Sequence, residues 1–151
     1  KLLLLYGVYG SGKTHLLEAI ANELYRRGIW AGVITFPDLM GRLKNTFDRP
    51  KGGEGADFEE VIKRYCTVPF LLLDDVGTAG SYTEFSKQQL ERIILERYRI
   101  PLFTVITTSR DVKELPEMVF SRFQDTEKSR MVLDEGKDYR LEKGKDLRRA
   151  K

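Results

Sequence analysis

A chain of 151 residues is long enough for one domain with a buried core and needs no disulfide or metal to hold it together. Apolar residues make up 41% and charged residues 32%, with a net charge of +3, so any basic surface for nucleic acid must be local rather than global. The single cysteine, Cys66, excludes an intrachain disulfide and fits a reducing, cytoplasmic compartment, and no apolar run approaches the roughly 18 residues of a membrane span.

Residues 2–5 are a short apolar run that stops at Gly7, the pattern of a fully buried strand. Residues 13–27 have helical spacing, with Leu16, Leu17, Ile20 and Leu24 on one face and Gly28 as the stop. Residues 30–36 read as a second strand, with Trp30 in the core. Pro37 and Asp38 open a helix that carries Leu39, Leu43 and Phe47. Residues 49–57 hold Pro50, Gly52, Gly53 and Gly55 and read as a mobile loop. A short amphipathic helix is expected over 58–65, with Cys66 as a buried thiol beyond it. A third buried strand over 70–73 ends in Asp74 and Asp75, and residues 78–81 form a loop. A long helix over 85–98, a fourth strand over 102–107, a helix over 112–123 with Pro116 in its first turns, and a fifth strand over 130–133 follow. The charged stretch 134–151 closes the chain. Its cations Lys143, Lys145, Arg148, Arg149 and Lys151 read as a solvated, fraying helix rather than a DNA contact. Strands alternating with helices imply a parallel sheet covered on both faces.

The strongest motif is GVYGSGKT, residues 7–14, a full match to G-x-x-x-x-G-K-[ST] between an apolar strand and an amphipathic helix. Glycines let backbone N–H groups converge on phosphate oxygens, and the helix N-terminus adds its dipole. The chemistry points to ATP or ADP with Mg²⁺. The expected nucleotide contacts are Gly7, Tyr9, Gly10, Ser11, Gly12, Lys13 and Thr14, with Lys13 on the β and γ phosphates and the Thr14 hydroxyl on the metal. His15, the one histidine, packs over the nucleotide or makes local contacts only; no metal cluster can be built around it.

The second motif is FLLLDDVG, residues 70–77. Acids at a strand's end beside a phosphate loop place Asp74 to hold magnesium and Asp75 to orient or deprotonate the attacking water. Taken alone, the same run reads as a strand ending in solvated acids. The polar end of the fourth strand, Thr107, Thr108, Ser109 and Arg110, lies between the two motif strands. It reads either as a γ-phosphate sensor, with Thr108 and Arg110 the catalytic candidates, or as a simple strand-to-loop transition. Arg122, in Ser-Arg-Phe, is by spacing a solvated surface residue; in a ring or filament it becomes an arginine finger acting in trans. Arg42, Lys44, Phe47, Arg49 and Lys51 interleave cations with an aromatic. They suit single-stranded nucleic acid, or else form the solvated basic face of a helix with Phe47 in the core.

In order, GVYGSGKTHLLEAIANEL, ITFPDLMGRLKNTF, LLLDDVG, TTSRDVKEL, SRF and GKDYR resemble the AAA+ ATPase domain of bacterial replicative helicase loaders of the DnaC/DnaI type, with DnaA and IstB as relatives. The resemblance covers most of residues 1–140. It implies an α/β, three-layer P-loop NTPase core over residues 1–140, with a five-stranded parallel sheet in the order 5-1-4-3-2. The AAA+ lid domain is absent or truncated, and residues 141–151 are a charged tail. It further implies a helicase-binding domain upstream and outside this chain, which begins without Met in its first strand and reads as a fragment.

Implied partners are the replicative hexameric helicase, single-stranded DNA and further copies in a spiral, with no membrane. In the family pattern Arg122 matches the arginine finger, and Lys44, Phe47, Thr83 and Phe85 face the DNA. Two residues depart from that pattern. Asp75 stands where Glu is frequent, which suits a slow, switch-like ATPase, and Arg110 stands where a sensor Asn or Asp is usual. Two alternatives stay open: an IstB-like transposition helper acting on duplex DNA, and a small-molecule kinase using the same loop.

Overall fold

The computed structural model describes residues 1–48, 55–77 and 82–136. Five strands, β1 (Leu2–Gly7), β2 (Ala31–Thr35), β3 (Phe70–Asp74), β4 (Phe103–Thr108) and β5 (Ser129–Asp134), form one sheet in the order β2-β3-β4-β1-β5. All four pairings are parallel. This is the expected order read from the opposite edge. It places the ends of β1, β4 and β3 side by side, so both motifs and the polar tip between them emerge on one rim. In an open parallel sheet that rim is where ligands bind.

The central strands are apolar on both faces because helices lie on both sides: Leu4, Leu71, Leu73 and Ile106 are fully buried. The layers are unequal. Helices α2 (Phe36–Lys44), α3 (Phe58–Thr67), α4 (Glu84–Arg99) and α5 (Glu117–Gln124) pack on one face around Leu39, Leu43, Ile62, Ile93, Val119 and Phe123. Helix α1 (Lys13–Arg26) covers the other, where Leu17 meets Leu5, Leu72 and Val105.

Local chemistry sets the element ends. Thr35 caps α2 by accepting the N–H of Asp38, so β2 stops there and Phe36 belongs to the helix, not the strand. Pro37 occupies the first turn, where its missing N–H leaves no helical bond unmade. Asp57 and Glu60 cap α3 reciprocally, and the helix runs two residues beyond expectation. The helix expected over 112–123 is instead a 3₁₀ turn, Val112–Glu114, followed by α5. Pro116 holds Leu115 extended and cannot donate to a continuous helix, so it divides the segment.

Trp30 is 71% exposed, against its expected place in the core: it precedes an edge strand rather than a central one. Phe47 is likewise outside the core. Cys66 is buried, and burial pushes its thiol above the ordinary cysteine value. Most of the expected glycine-rich loop, the loop 78–81 and the charged tail 141–151 lie outside the described residues. No helix among the described residues is long and apolar enough to cross a membrane.

Arg97 is fully buried between α4 and the sheet. Its guanidinium donates to Thr104 Oγ1 (2.7 Å) and to the carbonyls of Tyr65 (2.9 Å), Val68 (2.7 Å) and Phe103 (2.6 Å). Burial brings its pKa down to about 10, so it remains charged at neutral pH, held by oxygen dipoles from α3, β4 and the α3–β3 connection.

Candidate nucleotide site and nucleic-acid interface

The phosphate loop leaves β1 at Gly7, whose φ is 152°. A Cβ there would collide with the backbone carbonyl of Asp134 on the paired strand β5, so the close approach of the two strand ends requires glycine. Gly12 precedes α1 at φ 112°, and among the described residues no side chain caps that helix. Its first-turn N–H groups and the positive end of its dipole therefore face the loop, with no acid in the first turn to occupy them.

Lys13 is buried. Its ammonium donates to the carbonyls of Gly7 (3.0 Å) and Val8 (2.7 Å) and to Ser11 Oγ (3.2 Å). Burial pushes its pKa below the ordinary lysine value, while the nearby carboxylates of Asp134, Asp75 and Asp74 pull it back up. Thr14 donates its hydroxyl to Asp74 Oδ2 at 2.9 Å, which joins the two motifs directly. A hydroxyl and a carboxylate at this spacing are the hard oxygen donors that Mg²⁺ takes, and the cradle of glycine amides and a buried ammonium suits phosphate oxygens. The residues present fit ATP with Mg²⁺.

Thr107 binds the second motif to the sheet. Its hydroxyl donates to Asp74 Oδ1 and accepts the N–H of Asp75 (3.0 Å), while its carbonyl accepts the N–H of Val76 (2.9 Å). Asp75 is held in the left-handed region at φ 58°, a conformation costly for a residue with a Cβ. Tyr82 lies against Gly77, where a Cβ would meet its hydroxyl.

The other candidates fall as follows. Thr108 is buried, and its hydroxyl accepts the N–H of Arg110 (3.2 Å). Arg110 pairs with Glu114 at 2.5 Å. Tyr9 is half exposed on the loop, and His15 points into solvent beside Glu18. Arg122 lies at the opposite end of the sheet: its carbonyl accepts from Ser129, the first residue of β5, and its guanidinium sits 5.2 Å from the Tyr98 ring near the end of α4. The five residue steps of β5 put it ~17 Å along the strand direction from the loop, so it cannot serve its own phosphates.

Two participants carry no motif. The tip of β5 leans over the loop: a Cβ on Gly136 would meet Ser11, and Asp134 Oδ1 accepts the Gly136 N–H (3.0 Å). The second is Phe58. Phe47 stacks on Phe58 at 5.2 Å and meets Phe85 edge-on at 5.9 Å, and the Lys44 ammonium lies 5.9 Å over Phe85. Phe47 presents 63% of its surface to solvent in this cluster. Thr83 caps α4 through the Ser86 N–H (3.1 Å) next to it. A signal for Phe58 exists in retrospect: it opens a helix whose Asp57 cap sits immediately before an aromatic.

The profile of a family described as IstB-like ATP binding protein matches residues 1–135. The replicative helicase loader DnaC of Escherichia coli (strain K12) is 29% identical over 119 residues, 79% of this chain and 46% of that protein. The replicative helicase loader DnaI of Bacillus subtilis (strain 168) is 34% identical over 94 residues, 62% of this chain and 28% of that protein. A structure of the replication initiator DnaA bound to AMPPCP and single-stranded DNA superposes with a TM-score of 0.76 at 26% identity, covering 98% of this chain and 46% of that one. The chain spans less than half the length of these curated relatives.

Proposed function

The chain belongs to the family of IstB-like ATP-binding proteins, and from that premise we propose that it is the AAA+ ATPase domain of a replicative helicase loader. It binds ATP, hydrolyses it slowly to ADP and phosphate, and couples the nucleotide to self-assembly and to single-stranded DNA. The observation that carries the reading is the Thr14–Asp74–Thr107 chain of hydrogen bonds beside buried Lys13. Lys13 holds the β and γ phosphates, having, among the described residues, only loop carbonyls and Ser11 Oγ to give up. Thr14 and Asp74 would hold Mg²⁺, which would neutralise phosphate charge. Asp75, fixed by Thr107, orients water at the terminal phosphate. Arg122 supplies positive charge to a neighbouring copy's site, since its own lies a sheet length away.

Exposed Phe47, backed by the half-buried rings of Phe58 and Phe85, offers bases a stacking surface, and Lys44 offers phosphates a cation. The DnaA neighbour bound to single-stranded DNA supports this assignment. The family match also favours a second reading, an IstB-like transposition helper on duplex DNA. A hexameric helicase partner is proposed from the DnaC and DnaI relatives, with the contact made by a domain beyond this chain.

Fluorescence anisotropy with single- and double-stranded oligonucleotides, with and without ATP, tests the reading. ATP-dependent preference for the single strand is expected, and a preference for duplex selects the transposition helper. Loss of ATP binding in Lys13→Ala is expected alongside. Parental ATP affinity in that variant would remove the phosphate-loop assignment. In mixed assemblies Arg122→Ala subunits should lower their neighbours' turnover, and unchanged turnover would deny the trans role.

A further inference from the structure

Arg110 leaves the end of β4, the strand between those carrying the two nucleotide motifs. It lines a cavity of about 530 Å³ together with Tyr6, Gly7 and Val8 from the start of the phosphate loop and Asp134–Gly136 from the tip of β5. Its charge reaches Tyr82 beside the second motif, where it opposes the upward push of burial on the phenol. The guanidinium Nη1 donates to Glu114 Oε2, while Nε is buried and finds no partner among the described residues.

Glu114 is presented by a single 3₁₀ turn. Asp111 anchors that turn, accepting the Lys113 N–H on its side chain (2.9 Å) and the Glu114 N–H on its carbonyl (2.9 Å). The carboxylate is therefore placed by local backbone, independently of the sheet. Both side chains retain solvent, at 31% and 49% exposure. A pair so screened favours its closed form by only about a factor of two to five. A doubly charged phosphate that offers two oxygens to the same fork is the stronger partner.

We propose that Glu114 is a specificity-determining residue of the nucleotide site: it occupies the Arg110 guanidinium when no γ-phosphate is present and releases it to the terminal phosphate of a nucleoside triphosphate. The inference rests on the nucleotide reading above and adds a regulating partner to it. In this proposal a diphosphate, which lacks the terminal group, leaves the pair closed. A triphosphate must displace the carboxylate, so Glu114 sets how strongly the site prefers triphosphate over diphosphate.

The test is competition of MgATPγS and MgADP against a fluorescent ADP analogue on the full chain. Glu114→Gln should bind MgATPγS about two- to five-fold tighter with MgADP unchanged, and Glu114→Asp should fall between it and the parent. Arg110→Ala should lose the preference for triphosphate, and adding Glu114→Gln to it should change nothing further. Equal tightening of both nucleotides, or a Glu114→Gln effect that persists without Arg110, overturns the proposal and points to a general field of the acids Asp111, Asp134 and Glu135. Lys13→Ala separates the two levels. If it binds both nucleotides as the parent does, the site assignment falls; if it binds neither while Glu114→Gln leaves the ratio flat, the exchange alone falls. Unchanged thermal melts of the Glu114 variants keep a flat ratio interpretable.

Discussion

The hydroxyl of Thr107 donates to one oxygen of Asp74 while accepting the amide N–H of Asp75, so one side chain on β4 fixes the last residue of the neighbouring strand and the acid that follows it. The other oxygen of Asp74 takes the hydroxyl of Thr14. Thr107→Val should break the first two bonds while keeping the volume and the strand propensity. Losing them costs about 1–3 kcal/mol of stability. As a positioning residue, Thr107 should also show itself in the metal dependence: turnover falls at least about ten-fold and the Mg²⁺ concentration for half-maximal rate rises several-fold. Thr107→Ser should restore both. A stability loss with an unchanged Mg²⁺ titration would reduce Thr107 to a packing residue.

The aromatic cluster predicts a divided response to DNA. Phe47→Ala removes a stacking face and should weaken single-stranded DNA by about 1–3 kcal/mol at fixed salt. Lys44→Ala should flatten the slope of log affinity against log salt by about 0.7, the share of one neutralised phosphate on a single strand. Phe58→Ala, which removes a ring and no charge, should resemble Phe47→Ala in affinity and the parent in salt slope. Parental affinity in Phe47→Ala would move the DNA surface elsewhere.

Arg97 joins α4 to three carbonyls and a threonine hydroxyl without a carboxylate partner among the described residues. Arg97→Met fills comparable volume but strands those oxygens, and urea unfolding should report a loss of about 3–5 kcal/mol. Arg97→Lys keeps the charge and loses the fork, so it should recover only part of that loss. A loss below about 1 kcal/mol would mean that water replaces the guanidinium.

Tyr82 gives a pH signature. Burial raises its pKa from 10 to about 12, so the fold favours the neutral phenol. A group raised in the folded state contributes stability that is complete below its unfolded value, and the contribution is lost as pH rises from 10 through about 12. Thermal melts across that window should show a steeper fall for the parent than for Tyr82→Phe. Parallel curves would put the phenol in contact with water.

Much of the fold was legible because two kinds of signal agree. Uninterrupted apolar runs such as residues 70–73 belong to strands buried on both sides, and the phosphate-loop pattern fixed the first strand and helix at once. Boundaries were less legible where a residue serves two elements, as Thr35 ends β2 and caps α2. Trp30 misled because composition reports apolarity but not whether a strand lies at an edge. Within the site, the motif residues were readable because phosphate chemistry constrains their spacing. Thr107 was named as part of a polar tip but its bonds to Asp74 and Asp75 were not foreseen, and Glu114 and Asp134 went unmarked, since each acts through a neighbour supplied by the tertiary fold. Arg97 was hidden for a related reason: on a helix rich in charge, nothing local marks the one cation that turns inward.

The separation of Arg122 from its own phosphate loop has a directional consequence. The loop sits at the strand ends and Arg122 at the strand starts, so the domain has an unlike head and tail. If sites are completed between copies, contacts join head to tail and the resulting array has polarity. In an open array one terminal copy then holds nucleotide without a neighbour's arginine. That copy keeps its ATP longest, which makes the end of the array chemically different from its body although every chain has the same sequence.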